Sequence, residues 1–329
     1  MDRTLRRSFL PGEANDTRGL KALPLNLPVG SSVYCTVETE LSHQEKWDVE
    51  LKERLYSHLT QLVRERDPYF ASAGHFFVQQ YIHEQLGEWG TVETHQFQVR
   101  GNTYKNLILN LPASNPEKKS PPILIGAHYD AVPGTPGADD NATGVAVLLE
   151  IARIFAAEPL NYPVRLVAFD LEEVGLLGSA AYADQLKRDR QPLRLMLSLE
   201  MLGYCDRSPN SQRYPAGLQY FYPNQGDFIA LIGNLSTIPD LIRLKRYMRQ
   251  SGTPCQWLPV PKRGLFIPQT RLSDHAPFWD RGYRAIMVTD TAFLRNPHYH
   301  QSSDTLETLD LDFLTGVCQG LAQGIRQLT

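Results

Sequence analysis

The stretch from Ile123 to Ile151, ILIGAHYDAVPGTPGADDNATGVAVLLEI, constrains the fold of this chain more than any other part of its sequence. It opens with a short apolar run, which is typical of a strand buried on both faces. His128 and Asp130 end that run, and a turn rich in proline and glycine leads to Asp140. Residues 142–155 then form an apolar-rich helical run. This order predicts an open α/β sheet, in which ligands bind outside the carboxyl ends of the strands.

Beyond this stretch, predicted strands and helices alternate along the chain. Apolar runs bounded by turn residues predict buried strands, and apolar residues at helical spacing predict amphipathic helices. Predicted strands cover 91–100, 106–111, 164–169, 193–199, 218–222 and 284–289, predicted helices cover 47–66, 70–89, 178–188, 227–250, 273–281 and 311–328, and a loop is predicted over 254–270. The alternation favours one α/β domain over residues 47–329 with a mostly parallel sheet, preceded by an N-terminal extension over residues 1–46.

The composition excludes several classes of function. The net charge is -3, so no surface for nucleic acid or an anionic membrane is expected. No apolar run approaches the roughly 20 residues that a membrane span needs, and the basic N-terminus lacks the apolar core of a signal peptide. Four scattered cysteines show no metal or redox spacing, and they are Cys35, Cys205, Cys255 and Cys318. These features predict a cytoplasmic protein without nucleic-acid or membrane partners.

Polar side chains of the metal-ligand type follow the predicted strands. They are His128 with Asp140, Glu172 with Glu173, Glu200, and, from a late loop, His300 with Asp304. Imidazoles combined with carboxylates suit zinc, cobalt or manganese. Adjacent residues of an extended segment point in different directions, so Glu172 and Glu173 are not expected to bind the same ion. One of them can bind metal while the other acts on water as a general base.

A charge count favours two metal ions over one. The carboxylates of Asp140, Glu173 and Glu200 and one bridging hydroxide carry as much negative charge as two divalent cations carry positive charge. A single cation would leave excess negative charge buried, which is costly. We therefore expect two ions about 3.5–4 Å apart that activate a shared water.

Several motifs in order closely resemble the M28 family of zinc peptidases, which includes aminopeptidases and glutaminyl cyclases. The matching pieces are HYD at 128–130, PGADDNATG at 136–144, EEVGLLGS at 172–179, LEMLGY at 199–204, SDHAPF at 273–278 and HYHQSSDTLETLD at 298–310. The resemblance runs from about Trp47 to the C-terminus. It implies a three-layer, phosphorylase/hydrolase-like fold with a central twisted mixed sheet of about eight strands flanked by helices.

The resemblance also implies a role for each site residue. Asp140 would bridge two zinc ions, with His128 and Glu200 completing one site and Glu173 and His300 completing the other, and Glu172 would be the general base. Asp130 would orient His128, as metal-bound imidazoles generally require, and Asp274 and Asp304 would be outer supporting groups. In family members the peptide bond after the bridging aspartate is often cis, which implies a cis bond between Asp140 and Asn141.

The sequence departs from the family pattern at two points. Glu200 stands where many aminopeptidases of the family carry aspartate, and its longer side chain can alter metal spacing. Some secreted members place a tyrosine shortly before the SDH motif to polarise the substrate carbonyl. The corresponding residues 267–275 read IPQTRLSDH and contain no tyrosine. Thr270 and Arg271 are the nearby candidates for that task.

The leading hypothesis is a two-zinc exopeptidase, most simply an aminopeptidase, that acts on peptides or small aminoacyl substrates. A glutaminyl-cyclase-like acyltransferase with a single zinc is the alternative, although it leaves His128 and the PGADDN motif without a function. A non-catalytic homologue would be expected to have lost ligands or the base, and a metal-dependent carboxypeptidase or amidohydrolase stays open. The walls of the substrate pocket are expected from residues 203–225 and 255–272.

Asp139 and His298 lie near the proposed ligands in the sequence but are not expected to bind metal. Asp139 is predicted to serve a local turn or to cap the following helix, because aspartate favours such positions. His298 shares a loop with His300 and is predicted to be exposed.

Overall fold

The structure, a computed structural model, describes residues 43–117 and 119–328. Residues 1–42 of the predicted N-terminal extension, including Cys35, lie outside this range, so the extension stays a prediction. The helices are α1 (His43–Leu62), α2 (Ser72–Gly87), α3 (Gly144–Ala157), α4 (Leu177–Arg188), α5 (Ile238–Gln250), α6 (His275–Asp280) and α7 (Leu311–Arg326). The strands are β1 (Val92–Val99), β2 (Asn102–Leu111), β3 (Ile123–His128), β4 (Val164–Phe169), β5 (Leu195–Glu200), β6 (Ile229–Asn234), β7 (Cys255–Val260) and β8 (Ala285–Thr289).

All eight strands belong to one mixed sheet, in the order β1-β2-β4-β3-β5-β8-β6-β7. The four central strands β4, β3, β5 and β8 are parallel. The hairpin β1–β2 pairs with β4 in the antiparallel sense, and β6 is antiparallel to β8 but parallel to β7. The predicted mixed, mostly parallel sheet with flanking helices is confirmed. Its parallel centre brings the carboxyl ends of β3, β4 and β5 to one edge, where the polar residues lie.

Alternate residues of the central strands enter two hydrophobic clusters, one on each face of the sheet. On β3, Ile123 and Ile125 pack into the larger cluster, which includes apolar side chains of α1, α2, α3, α5 and α7. Leu124 packs into the other cluster, together with side chains of α4 and α6 such as Tyr182 and Trp279. Because successive residues of a strand face opposite sides, an apolar run such as ILI requires cover on both faces. The result is three layers.

Three predicted segments are wrong. Residues 218–222 are not a strand, because a 3₁₀ turn covers Leu218–Tyr220. The helices predicted over 227–250 are strand β6 followed by α5, and the loop predicted over 254–270 contains β7. A short apolar run such as that of β6 fits a strand or a buried helix equally well. Proline is unusual within a strand, but Pro259 lies in β7 at the edge of the sheet, where a missing N–H is tolerated.

No helix within the described residues is long and apolar enough to cross a membrane. Cys205, Cys255 and Cys318 are free thiols, and the last two are buried.

Candidate metal centre and active site

The structure brings the six predicted site residues together at the carboxyl edge of the sheet. His128 and Glu200 end β3 and β5, and Glu172 and Glu173 follow β4. Asp140 comes from the turn before α3, and His300 from the loop after β8.

The carboxylate of Asp140 lies between two imidazoles. Its Oδ1 lies 3.3 Å from Nε2 of His128, and its Oδ2 lies 3.2 Å from Nε2 of His300. Glu200 Oε1 lies 3.6 Å from the same nitrogen of His128, and Glu173 Oε2 lies 3.3 Å from the same nitrogen of His300. The two oxygens of one carboxylate therefore face two separate groups of donor atoms.

Donor atoms within 4.8 Å of one another define these groups. His128, Asp140 and Glu200 form the first group, and Asp140, Glu173 and His300 form the second. Asp140 belongs to both. Glu172 approaches His128 and Glu173 in a further group but does not join the other two. This arrangement matches two ligand sets that share one carboxylate, with Glu172 beside them.

Buried donor atoms of both groups lack hydrogen-bond partners within the described residues. They are Nε2 of His128, Oε2 of Glu200 and Oε1 of Glu173. Leaving a buried polar atom unsatisfied costs about 1–3 kcal/mol, and more for a charged group. Nitrogen and carboxylate oxygen are ligands of zinc. The donor set thus fits divalent cations.

Crowded carboxylates and few cations determine the electrostatics of the cleft. Burial raises the pKa of Glu173 to about 7, with a further contribution from Asp140, and burial also raises the pKa of Glu172 well above its usual value. Burial lowers the pKa of His300, but hydrogen bonds to Asp140 and Glu173 raise it to about 10. Burial also lowers the pKa of His128, but the charges of Glu172 and Glu200 raise that pKa well above its usual value. Bound cations invert such shifts.

Asp130, the predicted partner of His128, lies behind both halves of the cleft. Its backbone carbonyl oxygen lies 3.2 Å from Nδ1 of His128, and its Oδ1 lies 3.5 Å from the same nitrogen. Its carboxylate also accepts hydrogen bonds from the backbone N–H groups of Glu172 and Glu173, at 3.0 and 3.2 Å. Asp130 thus holds the turn that carries two other site residues, a contact that no motif predicted.

Asp304 and Asn141 hold the backbone around Asp140. The carboxylate of Asp304 accepts the N–H groups of Asp139 and Asp140 at 2.9 and 3.1 Å. The peptide bond between Asp140 and Asn141 is cis. The side chain of Asn141 donates to the carbonyl of Leu199 at 2.8 Å and accepts the N–H of Met201 at 3.1 Å, and these residues flank Glu200.

Asp139 has a local contact of the kind predicted, because its Oδ1 accepts a hydrogen bond from the Thr143 hydroxyl at 3.4 Å, but it does not cap α3. Its side chain is buried and accepts hydrogen bonds from the Gly203 N–H and the Asn296 amide, both at 2.8 Å. It therefore joins the loop before α3 to segments distant in sequence. His298 is partly buried rather than exposed, and its Nδ1 lies 2.9 Å from the Ser303 hydroxyl. It belongs to neither donor group that contains Asp140.

Two cavities meet at the centre. A cleft contains the acidic residues and Arg271. A second cavity adjoins it and is lined mainly by apolar and aromatic side chains, among them Phe228, Trp257 and Met287. Residues of both expected wall segments, 203–225 and 255–272, line this apolar pocket, but strands β6 and β8 add walls that the sequence did not indicate.

Tyr299 lines both cavities, and no sequence argument singled it out. Its ring stacks on that of His300, with 3.7 Å between the centroids. Burial raises the pKa of the Tyr299 hydroxyl, and the carboxylates of the cleft raise it further. The phenol therefore stays protonated at neutral pH and can donate a hydrogen bond. Its position beside His300 in the HYH motif was the available signal.

The three other predicted helpers lie at the margins of the centre. Thr270 is buried, and its hydroxyl donates to the Ile267 carbonyl at 2.7 Å. Arg271 lines the cleft but is paired with Asp280 at 2.7 Å. Asp274 is fully buried, and neither of its carboxylate oxygens has a hydrogen-bond partner within the described residues. Burial raises the pKa of Asp274 to about 7.

Comparison with known proteins gives a consistent family match. A model of peptidase family M28 matches residues 106–323. The uncharacterized protein YfbL of Escherichia coli is 38% identical over 260 residues, which cover 74% of this chain and 77% of YfbL. A probable leucine aminopeptidase of Trichophyton verrucosum is 28% identical over 226 residues, covering 64% of this chain and 53% of that protein. The chain thus spans about half the length of that aminopeptidase.

Two solved structures share the fold at low identity. The LapA aminopeptidase of Legionella pneumophila superimposes with a TM-score of 0.62 at 19% identity, over 91% of this chain and 76% of LapA. A glutaminyl cyclase of Tannerella forsythia gives a TM-score of 0.61 at 19% identity, over 84% of this chain and 99% of the cyclase. At this identity the likeness concerns the fold alone, and the fold does not distinguish between the two activities.

Proposed function

Because the chain belongs to peptidase family M28, a family of metal-dependent hydrolases, we propose that its cleft is a two-zinc site that removes single residues from the N-termini of peptides. The single observation that carries the proposal is the position of Asp140. Its two carboxylate oxygens face His128 and His300 separately, at 3.3 and 3.2 Å. A carboxylate in this position can bridge two cations about 3.5–4 Å apart.

His128, Asp140 and Glu200 would hold one ion, and Asp140, Glu173 and His300 would hold the other. When bound, zinc supplies Lewis acidity toward the substrate carbonyl and lowers the pKa of water. Glu172 is proposed to take a proton from the attacking water and to return it to the leaving amine. Its position suits both transfers, because Glu172 approaches His128 and Glu173 without joining either donor group that contains Asp140.

Tyr299 is proposed to donate a hydrogen bond to the carbonyl oxygen as negative charge develops there. It takes the place of the tyrosine that is missing before the SDH motif. It lies where the cleft meets the apolar pocket. Neither Thr270, whose hydroxyl already donates to a backbone carbonyl, nor the ion-paired Arg271 offers an equally free donor.

The apolar pocket is proposed to receive the side chain of the N-terminal residue. Its apolar and aromatic lining suits an apolar side chain, and Glu200 is the one charged residue that lines it among the described residues. A charged substrate side chain would lose its hydration there, and Glu200, as a proposed metal ligand, is not available to pair with it. Together these features favour peptides that begin with an apolar residue.

A single-zinc glutaminyl cyclase is less consistent with the cleft. One ion would use only one of the two donor groups. The buried Nε2 of His128 or the free oxygen of Glu173 would then remain unsatisfied.

Metal analysis coupled to a substrate panel tests the proposal. We expect two zinc ions per chain at full activity, and hydrolysis of aminoacyl amides with a free α-amine. N-blocked forms of the same amides are the matched controls and should not be cleaved. Full activity with one zinc would refute the two-metal mechanism, and cleavage of blocked substrates alone would refute the aminopeptidase assignment.

A further inference from the structure

A buried arginine lies beneath the metal cleft, outside every motif that indicated the site. Arg66 follows α1 and is 1% exposed. Its guanidinium donates only to backbone carbonyl oxygens among the hydrogen bonds of the described residues. The acceptors are Tyr129 at 2.9 Å, Gly137 at 2.8 Å, Asp140 at 3.3 Å, Arg64 at 3.2 Å, Leu62 at 3.4 Å and Pro136 at 2.5 Å.

These acceptors belong to the segments that carry the proposed ligands. Tyr129 separates His128 from Asp130, and Pro136 and Gly137 lead into the turn that ends at Asp140. One planar group with five donors therefore joins the end of β3 to the bridging residue. It also fixes both to the last turn of α1 through Leu62.

The charge of Arg66 acts on the same centre. It attracts the carboxylates of Asp140, Asp304, Asp130 and Glu173. A buried guanidinium is costly unless opposite charges and hydrogen bonds offset its desolvation. Here carbonyl groups supply the hydrogen bonds, and the carboxylates supply the opposite charge while their oxygens stay available for other partners.

Gly137 leaves room for this arrangement. Its φ is +60°, and a Cβ at this position would lie 2.4 Å from the Asp140 carbonyl oxygen and 2.8 and 2.9 Å from the two guanidinium Nη atoms. A side chain here would push both the Asp140 backbone and the guanidinium away from their positions. The missing side chain of Gly137 thus allows the close contact between Arg66 and the turn.

We propose that Arg66 is a positioning residue of the metal centre, which fixes His128 and Asp140 at the separation that two ions require. The inference rests on the proposed two-metal function. The arginine touches neither substrate nor the reacting atoms. It sets the spacing of the ligands, and its charge partly balances them.

The test compares three variants with the wild-type protein. Arg66→Met removes the charge and the donors, Arg66→Lys keeps the charge but lacks the planar set of donors, and Gly137→Ala keeps Arg66 while displacing it. Zinc affinity is measured by competition with a chelator, with kcat and KM on an aminoacyl amide. Thermal unfolding of the metal-free forms shows which variants fold.

We expect Arg66→Met and Gly137→Ala to weaken zinc binding by about 10–100-fold, as loss of an outer partner of a metal site typically does. Arg66→Lys should lie between them and the wild type. At saturating zinc, kcat should fall while KM changes little, because the substrate pocket is intact. Arg153→Met, which breaks a contact of 2.8 Å with Glu150 on α3, is the control. It should alter unfolding without altering zinc affinity.

Wild-type zinc affinity in folded Arg66→Met would overturn the inference, and wild-type affinity in Arg66→Lys would overturn the positioning part of it. If Arg66→Met does not fold, Arg66→Lys decides by the same criterion, because Gly137→Ala also displaces the Asp140 backbone directly. Failure of the wild-type protein to bind two zinc ions would refute the proposed function instead, so the two failures are distinguishable.

Discussion

Glu150 on α3 and the carboxylates of the cleft are both buried, but their surroundings are opposite. Glu150 meets three cationic or basic side chains, with Arg54 at 3.0 Å, His58 at 3.1 Å and Arg153 at 2.8 Å. Burial alone raises the pKa of Glu150, but these partners outweigh it, and the net pKa lies below the usual value. In the cleft, burial and Asp140 raise the pKa of Glu173 to about 7.

The contrast separates a structural acid from a functional one. The Glu150 cluster is satisfied by the protein itself, so it needs nothing from outside. The cleft contains several carboxylates with two imidazoles, and buried atoms of these groups have no partner within the described residues. Strongly perturbed acids in a cleft indicate a functional site more reliably than buried acids as such.

Replacement of one acid in each cluster should give the largest contrast. Glu172→Gln is expected to lower kcat by about 10²–10⁴-fold, because the general base is lost, with zinc content unchanged. Glu150→Gln should keep its kcat. It should lose about 2–3 kcal/mol of stability. This loss is smaller than that expected from breaking a fully buried ion pair, because the Arg54 side chain is 37% exposed and solvent screens its charge. Kinetics, metal analysis and urea unfolding measure these effects, and lost zinc in Glu172→Gln would mean that Glu172 is a ligand.

Loss of a hydroxyl beside the carboxylates of the cleft should lower the rate more than loss of a hydroxyl that already donates to a backbone carbonyl. Tyr299→Phe is expected to lower kcat by about 10²–10³-fold, as for loss of an oxyanion donor, with little change in KM. The control is Tyr222→Phe, because Tyr222 lines only the apolar pocket and its hydroxyl donates to the Trp257 carbonyl. Equal rates in Tyr299→Phe and the wild type would exclude the proposed role.

The two clusters should give metal-free protein opposite responses to pH. The folded pKa of Glu150 lies below its unfolded value of 4.5, so its stabilising contribution is present above pH 4.5 and is lost as the pH falls. The folded pKa of Glu173 is about 7 against 4.5, so its contribution is present below pH 4.5 and is lost as the pH rises through 7.

Metal-free Glu173→Gln should therefore be more stable than metal-free wild type at pH 8, by up to about 3 kcal/mol. Metal-free Glu150→Gln should be less stable there. Urea unfolding at pH 5 and pH 8 measures both, and equal stability of Glu173→Gln and wild type at pH 8 would remove the contrast.

The smallest effect is expected in the apolar pocket, away from both acidic clusters. Ala230→Phe fills space in this pocket. It should lower kcat/KM for a leucyl amide relative to that for an alanyl amide by about 10–100-fold. One methylene group more or less in an apolar pocket is worth about 1–3 kcal/mol. The alanyl amide is the internal control. An unchanged ratio would mean that another cavity receives the N-terminal side chain.

The sequence determined the centre of the fold and predicted the candidate ligands that the structure brings together. Buried apolar runs ending in histidine or carboxylates are visible in the chain itself, and parallel strands bring such ends to one edge. The motifs around His128, Asp140 and Glu200 also indicated the family, which the family match over residues 106–323 confirmed. Candidate metal ligands can be recognised in a sequence because their chemistry resides in the side chain.

Only the tertiary structure decided the features that depend on distant backbone. The residues of β6 were predicted as helix and those of β7 as loop, and the pairing of β6 with β8 and with β7 makes both of them strands. Arg66 bonds to carbonyl oxygens, which every residue carries, so no pattern of side chains could predict its partners. Asp139 likewise binds Gly203 and Asn296 across long separations in the chain. Contacts made by backbone atoms leave no mark in the sequence, and only folding brings them together.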